Sequence, residues 1–103
     1  MILEIAILNL HPGQQTAYKA AFQRAAPIIR ASPGYLSHEL QHCLETPDRY
    51  VLLVRWQTLE DHTVGFRGSV PYQTWREILH PFYASFSVEH YELVESEANR
   101  QVS

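Results

Sequence analysis

The sequence predicts one α+β domain with the element order β-α-β-β-α-β, and three observations predict it. Four short stretches are either continuously apolar or alternate apolar with polar residues, as strands do. A longer stretch repeats apolar residues at helical spacing, and another carries the polar residues that begin helices. Proline and glycine separate these stretches, and 103 residues fit a single domain.

The first three elements are a strand, a helix and a second strand. Residues 1–10 are nearly all apolar, which suits a strand covered on both faces. Residues 14–31 show helical periodicity, and we expect Pro27 to kink this helix because it removes a backbone donor. Residues 35–44 alternate strictly, which predicts a strand. One face of that strand is expected to carry Leu36, His38, Leu40 and His42.

Residues 50–56 are predicted to form the third strand, and the short link before them makes an antiparallel hairpin with the second strand. Thr58 with Asp61 three residues later resembles a capping box, which starts a short helix ending near Phe66.

The last part of the chain contains a second helix and a fourth strand. Ser69 is a candidate N-cap for a helix that runs to His80 and is stopped by Pro81. Residues 86–94 are predicted to form the fourth strand. The domain therefore spans residues 1–94, and residues 95–103 form a polar tail.

This order is that of the ferredoxin-like split β-α-β fold, with a four-stranded antiparallel sheet whose two helices cover the same face. The third strand is nevertheless apolar on both faces, with Leu52 and Val54 on one and Val51 and Leu53 on the other. An uncovered apolar face of that size exceeds what soluble monomers usually expose. A second copy of the same sheet is the simplest cover, so we expect a homodimer.

Composition argues against several classes of partner. The formal charge of −3 and the scattered Lys and Arg residues argue against nucleic acid, because phosphate binding needs clustered basic side chains. No apolar stretch is long enough to span a membrane. The single cysteine, Cys43, cannot form an internal disulfide, and we expect a cytoplasmic protein.

The sequence resembles the antibiotic biosynthesis monooxygenase family of dimeric α+β barrels over about residues 1–94. The resemblance rests on an ordered set of short motifs. These are Pro33-Gly34-Tyr35, Trp56, Leu59-Glu60-Asp61-His62, Phe66-Arg67-Gly68-Ser69, Tyr72, Trp75, Leu79-His80-Pro81-Phe82 and Val88-Glu89-His90-Tyr91.

The resemblance implies an apolar cavity between sheet and helices, and several activities. The family includes cofactor-independent monooxygenases of quinols and polyketide aromatics, haem-degrading enzymes and an isomerase. The haem-degrading branch matches poorly, because Gly65 and Phe66 stand where its Trp would lie and Trp75 and Arg76 stand near its haem ligand. Asn9 on the first strand has no accompanying haem residues. The aromatic-oxidising branch also differs, since its third-strand Asn is missing here.

Seven residues are the candidates for chemistry and binding. His62, with an ordinary pKa near neutrality, is a candidate base or oxyanion partner, although it is also suited to packing the short helix. Tyr72 and Arg67 are candidate polar anchors. Arg67 is, however, expected to pair with Asp61 or Glu60 in the same helix. The candidate substrate-binding residues are Trp56, Phe66, Trp75 and His38.

No bound cofactor is expected. The histidines lie on different elements without metal-ligand spacing, no Gly-rich phosphate loop is present, and haem and flavin are disfavoured. The leading hypothesis is a cofactor-independent monooxygenase that oxidises a small aromatic or quinol substrate with O2. The alternatives are a non-catalytic dimeric module that binds a small hydrophobic metabolite, and a cofactor-free isomerase.

Overall fold

The computed structural model describes residues 1–98 and has the predicted β-α-β-β-α-β architecture. Four antiparallel strands form one sheet in the order β2-β3-β1-β4. The strands are β1 (Ile2–Leu10), β2 (Tyr35–His42), β3 (Arg49–Trp56) and β4 (Tyr83–Glu92). The helices are α1 (Gln15–Arg30), a π-helix (Asp61–Phe66), α2 (Val70–Leu79) and a 3-10 turn (His80–Phe82).

The core lies between the sheet and the two α-helices. On the core face of the sheet, alternate residues of β1 and β3 are buried, including Ala6, Leu8, Leu52 and Val54. Helix α1 packs its own apolar face, with the fully buried Tyr18, against them. This one-sided arrangement confirms the predicted ferredoxin-like fold.

The opposite face of the sheet, called the open face here, carries Ile5, Ile7, Val51 and Leu53. A single chain leaves these apolar side chains partly exposed, with Ile7 at 36%. None of the described helices is both long and apolar enough to span a membrane.

A bulge changes the predicted faces of the first two residues of β2, Tyr35 and Leu36. The register with β3 shifts between Tyr35 and Ser37, so Tyr35 stands opposite Trp56 while His38 stands opposite Val54. The extra residue, Leu36, is 44% exposed. The expectation that Leu36 shares a face with His38 was therefore wrong, because one inserted residue breaks the period of two.

The predicted helix starts are confirmed, and several strand and helix boundaries differ by one to three residues. Asp61 and Thr58 exchange reciprocal side-chain hydrogen bonds, as a capping box does, and the Ser69 hydroxyl accepts the N–H of Tyr72. Helix α2 ends at Leu79, and β4 begins at Tyr83, three residues earlier than predicted.

Helix α1 continues through Pro27 to Arg30. Residues 93 and 94, predicted to end the fourth strand, form no regular structure. Of the predicted tail, residues 95–98 also form none, and residues 99–103 lie outside the described part of the chain.

Candidate active site

A cavity of about 410 Å³ lies between the core face of the sheet and the helices. Five of the seven predicted site residues line it: His62, Phe66, Arg67, Tyr72 and Trp75. The sheet contributes mainly apolar side chains with one carboxylate, and these include Glu4, Ala6, Leu8, Leu52 and Val88. An apolar cavity with a few polar groups is the usual form of a small-molecule site.

The π-helix brings His62 and Arg67 to the same cavity. The N–H of Arg67 donates to the carbonyl of His62, five residues earlier, across 3.1 Å. In this wider helix, residues i and i+5 lie nearly above one another, and such turns often occur at functional sites. Gly34, with φ +84°, lets the π-helix approach, because a Cβ there would lie 2.2 Å from the carboxyl carbon of Asp61.

Glu4 is the buried acidic residue of the site. It lies on the core face of β1 and is only 5% exposed. The indole Nε1–H of Trp56 donates to its Oε1 across 3.0 Å. Burial raises the pKa of Glu4, and the Trp56 hydrogen bond and the Arg67 charge offset this in part. The carboxyl group is therefore a better proton acceptor than an exposed glutamate.

His62 connects Glu4 to a second histidine. Its Nε2 lies 3.4 Å from Oε1 of Glu4, and its Nδ1 lies 2.7 Å from Nε2 of His90 on β4. The Trp56 ring stacks on the His62 ring, with centroids 5.3 Å apart and planes at 19°. His62 is 4% exposed, and its two ring nitrogens contact Glu4 and His90 rather than solvent.

Burial and the neighbouring positive charge keep the two histidines neutral. Burial, the Arg67 charge and His90 lower the pKa of His62 to about 3. Burial and then Arg67 also lower the pKa of His90. At neutral pH, Glu4 and His62 therefore form an acid–base pair whose imidazole is uncharged.

Arg67 does not make the predicted ion pair. Among residues 1–98, the one contact between an acidic and a basic side chain within salt-bridge distance joins Glu4 and the neutral His62. The expectation that Arg67 pairs with Asp61 or Glu60 was therefore wrong. Asp61 instead accepts the backbone N–H of Thr58 in the capping box. Arg67 therefore lines the cavity with its charge unpaired by Asp61 or Glu60, and its guanidinium is available to bind a negatively charged ligand atom.

Aromatic rings form the helix side of the cavity. The Phe66 ring meets Tyr72 and Trp75 edge to face, with centroids 5.1 and 5.6 Å away. Tyr83 also lines the cavity, and its hydroxyl lies 2.9 Å from that of Tyr18. Burial raises the pKa of Tyr83 to about 12, so its hydroxyl stays protonated.

Two predicted substrate-binding residues lie elsewhere. Trp56 is fully buried behind His62, so it contacts the acid–base pair and does not line the cavity. His38 is half-buried on β2, where its Nδ1 hydrogen-bonds the Tyr35 hydroxyl and its ring meets Phe22.

Sequence reasoning missed Glu4 and His90. Glu4 carries a signal, because it is a lone carboxylate in the apolar run MILEIAILNL and shares its face with Ala6 and Leu8. The register places Glu4 directly opposite His90, which the sequence could not show.

Asn9 lies on the sheet face away from the cavity, where it bonds Ser85 and Arg49. Within residues 1–98, no three His, Cys, Asp or Glu side chains converge to hold a metal ion.

The fold and the cavity define a ferredoxin-like α+β domain with a small-molecule site. The chain belongs to the antibiotic biosynthesis monooxygenase family, whose model matches residues 1–78. It is 48% identical over 93 residues to YczJ of Bacillus subtilis strain 168, covering 89% of this chain and 98% of that one.

Solved structures show the same architecture. A putative antibiotic biosynthesis monooxygenase from Bordetella bronchiseptica is 33% identical, with a TM-score of 0.87 over 91% of this chain and 97% of that one. SnoaB of Streptomyces nogalater, a cofactor-independent oxygenase, is 13% identical, with a TM-score of 0.81 over 92% and 94% of the two chains. The second likeness concerns the fold alone.

Proposed function

We propose that this protein is a cofactor-independent monooxygenase that oxidises a small phenol or quinol with O2 in the 410 Å³ cavity. The observation that carries the proposal is the buried Glu4–His62 pair beside Arg67 in an aromatic cavity. Membership of the monooxygenase family supports it. SnoaB, which has the same fold, supports a reaction of this type without a cofactor.

The proposed chemistry begins with loss of the substrate's hydroxyl proton. A phenolate is electron-rich enough to transfer an electron to O2. Recombination at a hydrogen-bearing ring carbon, para or ortho to the oxygen, gives a peroxide anion that takes up a proton to become a hydroperoxide. Loss of water then leaves a quinone, so one oxygen atom of O2 becomes a carbonyl on a ring carbon and the other departs as water. The substrate supplies both electrons and both hydrogens, which is why no separate reductant is needed.

The residues of the site divide these tasks. Both contacts of Glu4 fall on Oε1, which leaves Oε2 to accept the substrate proton, with His62 as its partner. Arg67 holds the phenolate oxygen, and Tyr72 orients the ring. Phe66 and Trp75 provide flat walls for stacking.

We also propose that the protein is a homodimer whose subunits meet at the open face. The partly exposed Ile5, Ile7, Val51 and Leu53 support this arrangement, because one chain alone leaves that apolar surface uncovered. Proteins of this family are commonly dimeric.

Oxygen uptake over a panel of phenols and quinols tests the function. We expect one or more substrates to be oxidised with one O2 consumed per quinone formed. We expect His62→Ala and Tyr72→Phe to lower kcat/KM by about 10²-fold or more and about tenfold, respectively. His11→Ala, which removes an exposed histidine, serves as the control and should leave turnover unchanged.

The other outcomes identify the alternatives. Tight binding of panel compounds without oxygen uptake would indicate a binding module. Conversion of a substrate without oxygen uptake would indicate an isomerase. Oxidation that survives in both His62→Ala and Tyr72→Phe would contradict the assigned roles.

A further inference from the structure

We propose that His90 is the outer end of a proton path that joins the Glu4–His62 pair to solvent at the edge of the sheet. This inference rests on the proposed function, because it concerns the destination of the substrate's proton. Three different elements, β1, the π-helix and β4, supply the three side chains. Their contacts form an unbroken chain.

Among the described residues, the pair has side-chain hydrogen bonds to the fully buried Trp56 and to His90, and of these two residues only His90 is partly exposed. His62 Nε2 faces Glu4 across 3.4 Å and its Nδ1 faces His90 across 2.7 Å, so the ring spans the gap between them. His62 is 4% exposed, whereas His90 is partly exposed. His90 lies on β4, which is an edge strand of the sheet. If these side chains only packed together, they would not need to form a continuous series of polar contacts that ends at a residue accessible to water.

The path moves protons without charging either ring. The Glu4 carboxyl, protonated on Oε2 by the substrate, turns about its Cγ–Cδ bond and passes that proton to His62 Nε2. His62 Nδ1–H passes its own proton to His90 Nε2. The proton on His90 Nδ1 then leaves to water. Glu4 ends ionised and both imidazoles remain neutral, each in its other tautomer. When the peroxide formed with O2 takes up a proton, the same transfers run in reverse from water to Glu4 and on to the peroxide. This return restores the tautomers and leaves no net proton released.

The charged surroundings suit a path of neutral rings. From the turn after the π-helix, Arg67 faces all three groups, and from β1 the carboxyl of Glu4 faces His62. Burial first and Arg67 second lower the pKa of both histidines. A proton therefore does not come to rest on either imidazole.

Exchange of the His62 ring N–H with water, measured by 15N NMR, tests the path without any substrate. His90→Gln retains a polar group beside His62 but cannot pass a proton. We expect it to slow the exchange by about tenfold or more. A purely structural role predicts unchanged or faster exchange, because loosened packing admits water, and that result would overturn the proposal. Glu89→Gln, on the opposite face of the same strand, is the matched control.

His90→Asn provides a second variant, with thermal unfolding as the check that both fold. In turnover, His90→Gln should lower kcat about tenfold, and added imidazole should restore it. If the wild-type protein turns over a substrate and both His90 variants keep its kcat, the path is overturned while the proposed function stands. If no panel compound consumes oxygen, the proposed function fails, and the exchange rates still decide the path.

Discussion

The indole N–H of Trp56 donates to Oε1 of Glu4 across 3.0 Å, and the same indole stacks on His62. One fully buried side chain of β3 thus positions both members of the acid–base pair. The hydrogen bond favours the ionised carboxylate, whereas burial favours the neutral acid, and burial has the larger effect on the pKa of Glu4.

Replacing Trp56 with Phe should therefore raise the pKa of Glu4 further, because a ring remains beneath His62 but the donor is lost. The free energy of unfolding should fall by about 1–3 kcal/mol beyond the effect of the smaller ring, since a buried acceptor loses its partner. A 13C NMR titration of the Glu4 carboxyl and urea unfolding measure the two effects.

Trp75→Phe makes the same change of volume where no hydrogen bond to Glu4 exists, so it controls for packing. An equal pKa for Glu4 in the wild-type protein and the Trp56→Phe variant would contradict this account.

Stability should fall on acidification because of His62. Burial and Arg67 lower its pKa in the folded state to about 3, compared with 6.5 for an exposed histidine. Between these values the unfolded chain binds a proton that the folded chain does not, so the contribution of His62 is complete above pH 6.5 and is lost as the pH falls. From about pH 7.5 to about pH 5 the loss is about 2 kcal/mol.

Urea unfolding at these two pH values should show a smaller loss in His62→Gln than in the wild-type protein, and His11→Gln should follow the wild type. Glu4 acts in the opposite sense, because its raised pKa makes its contribution fall as the pH rises from 4.5 through the folded value. Glu4→Gln removes that opposing part. Equal pH dependence in the wild-type protein and His62→Gln would show that His62 is not a neutral buried ring.

Local patterns were sufficient to predict the fold. Alternation, helical periodicity and two capping signals at Thr58 and Ser69 predicted the four strands, the short helix and both α-helices in their order, because these signals depend on neighbours within a few residues. The 3-10 turn at His80–Phe82 was not predicted. The bulge at Leu36 was not predictable, since it depends on the pairing of β2 with β3.

The site was predicted in part, and the omissions have a physical cause. Five predicted residues meet in the cavity because the short segment from His62 to Trp75 supplies all of them. Glu4 and His90 come together with this segment only because β1 and β4 pair in the observed register. His90 is 28 positions from His62 in sequence, and Glu4 is farther away. Arg67 was expected to pair within its own helix. The capping role of Asp61 and the π-helical geometry leave it at the cavity.

Arg67→Gln should weaken binding of phenolic substrates, because no other side chain of the described cavity offers a guanidinium to the oxyanion. We expect KM to rise about tenfold at a pH where the phenol ionises readily, and Arg67→Lys to give an intermediate value. Steady-state oxygen uptake measures KM, with Arg24→Gln, an exposed α1 variant, as the control. Loss of Arg67 should also raise the pKa of His62, because its charge helps to lower it. An unchanged KM together with an unchanged pKa of His62 would place the guanidinium outside the site.

The open face should form the subunit interface. We expect a dimer at micromolar concentration in sedimentation velocity. Ile7→Lys should raise the dissociation constant by at least about a hundredfold, because symmetry buries two unpaired ammonium groups. Val64→Lys changes an exposed apolar residue of the π-helix, 68% accessible, on the other side of the molecule and should leave the dimer intact. A wild-type monomer at micromolar concentration would contradict the interface. A dimer unaffected by Ile7→Lys would place the contact on a different surface.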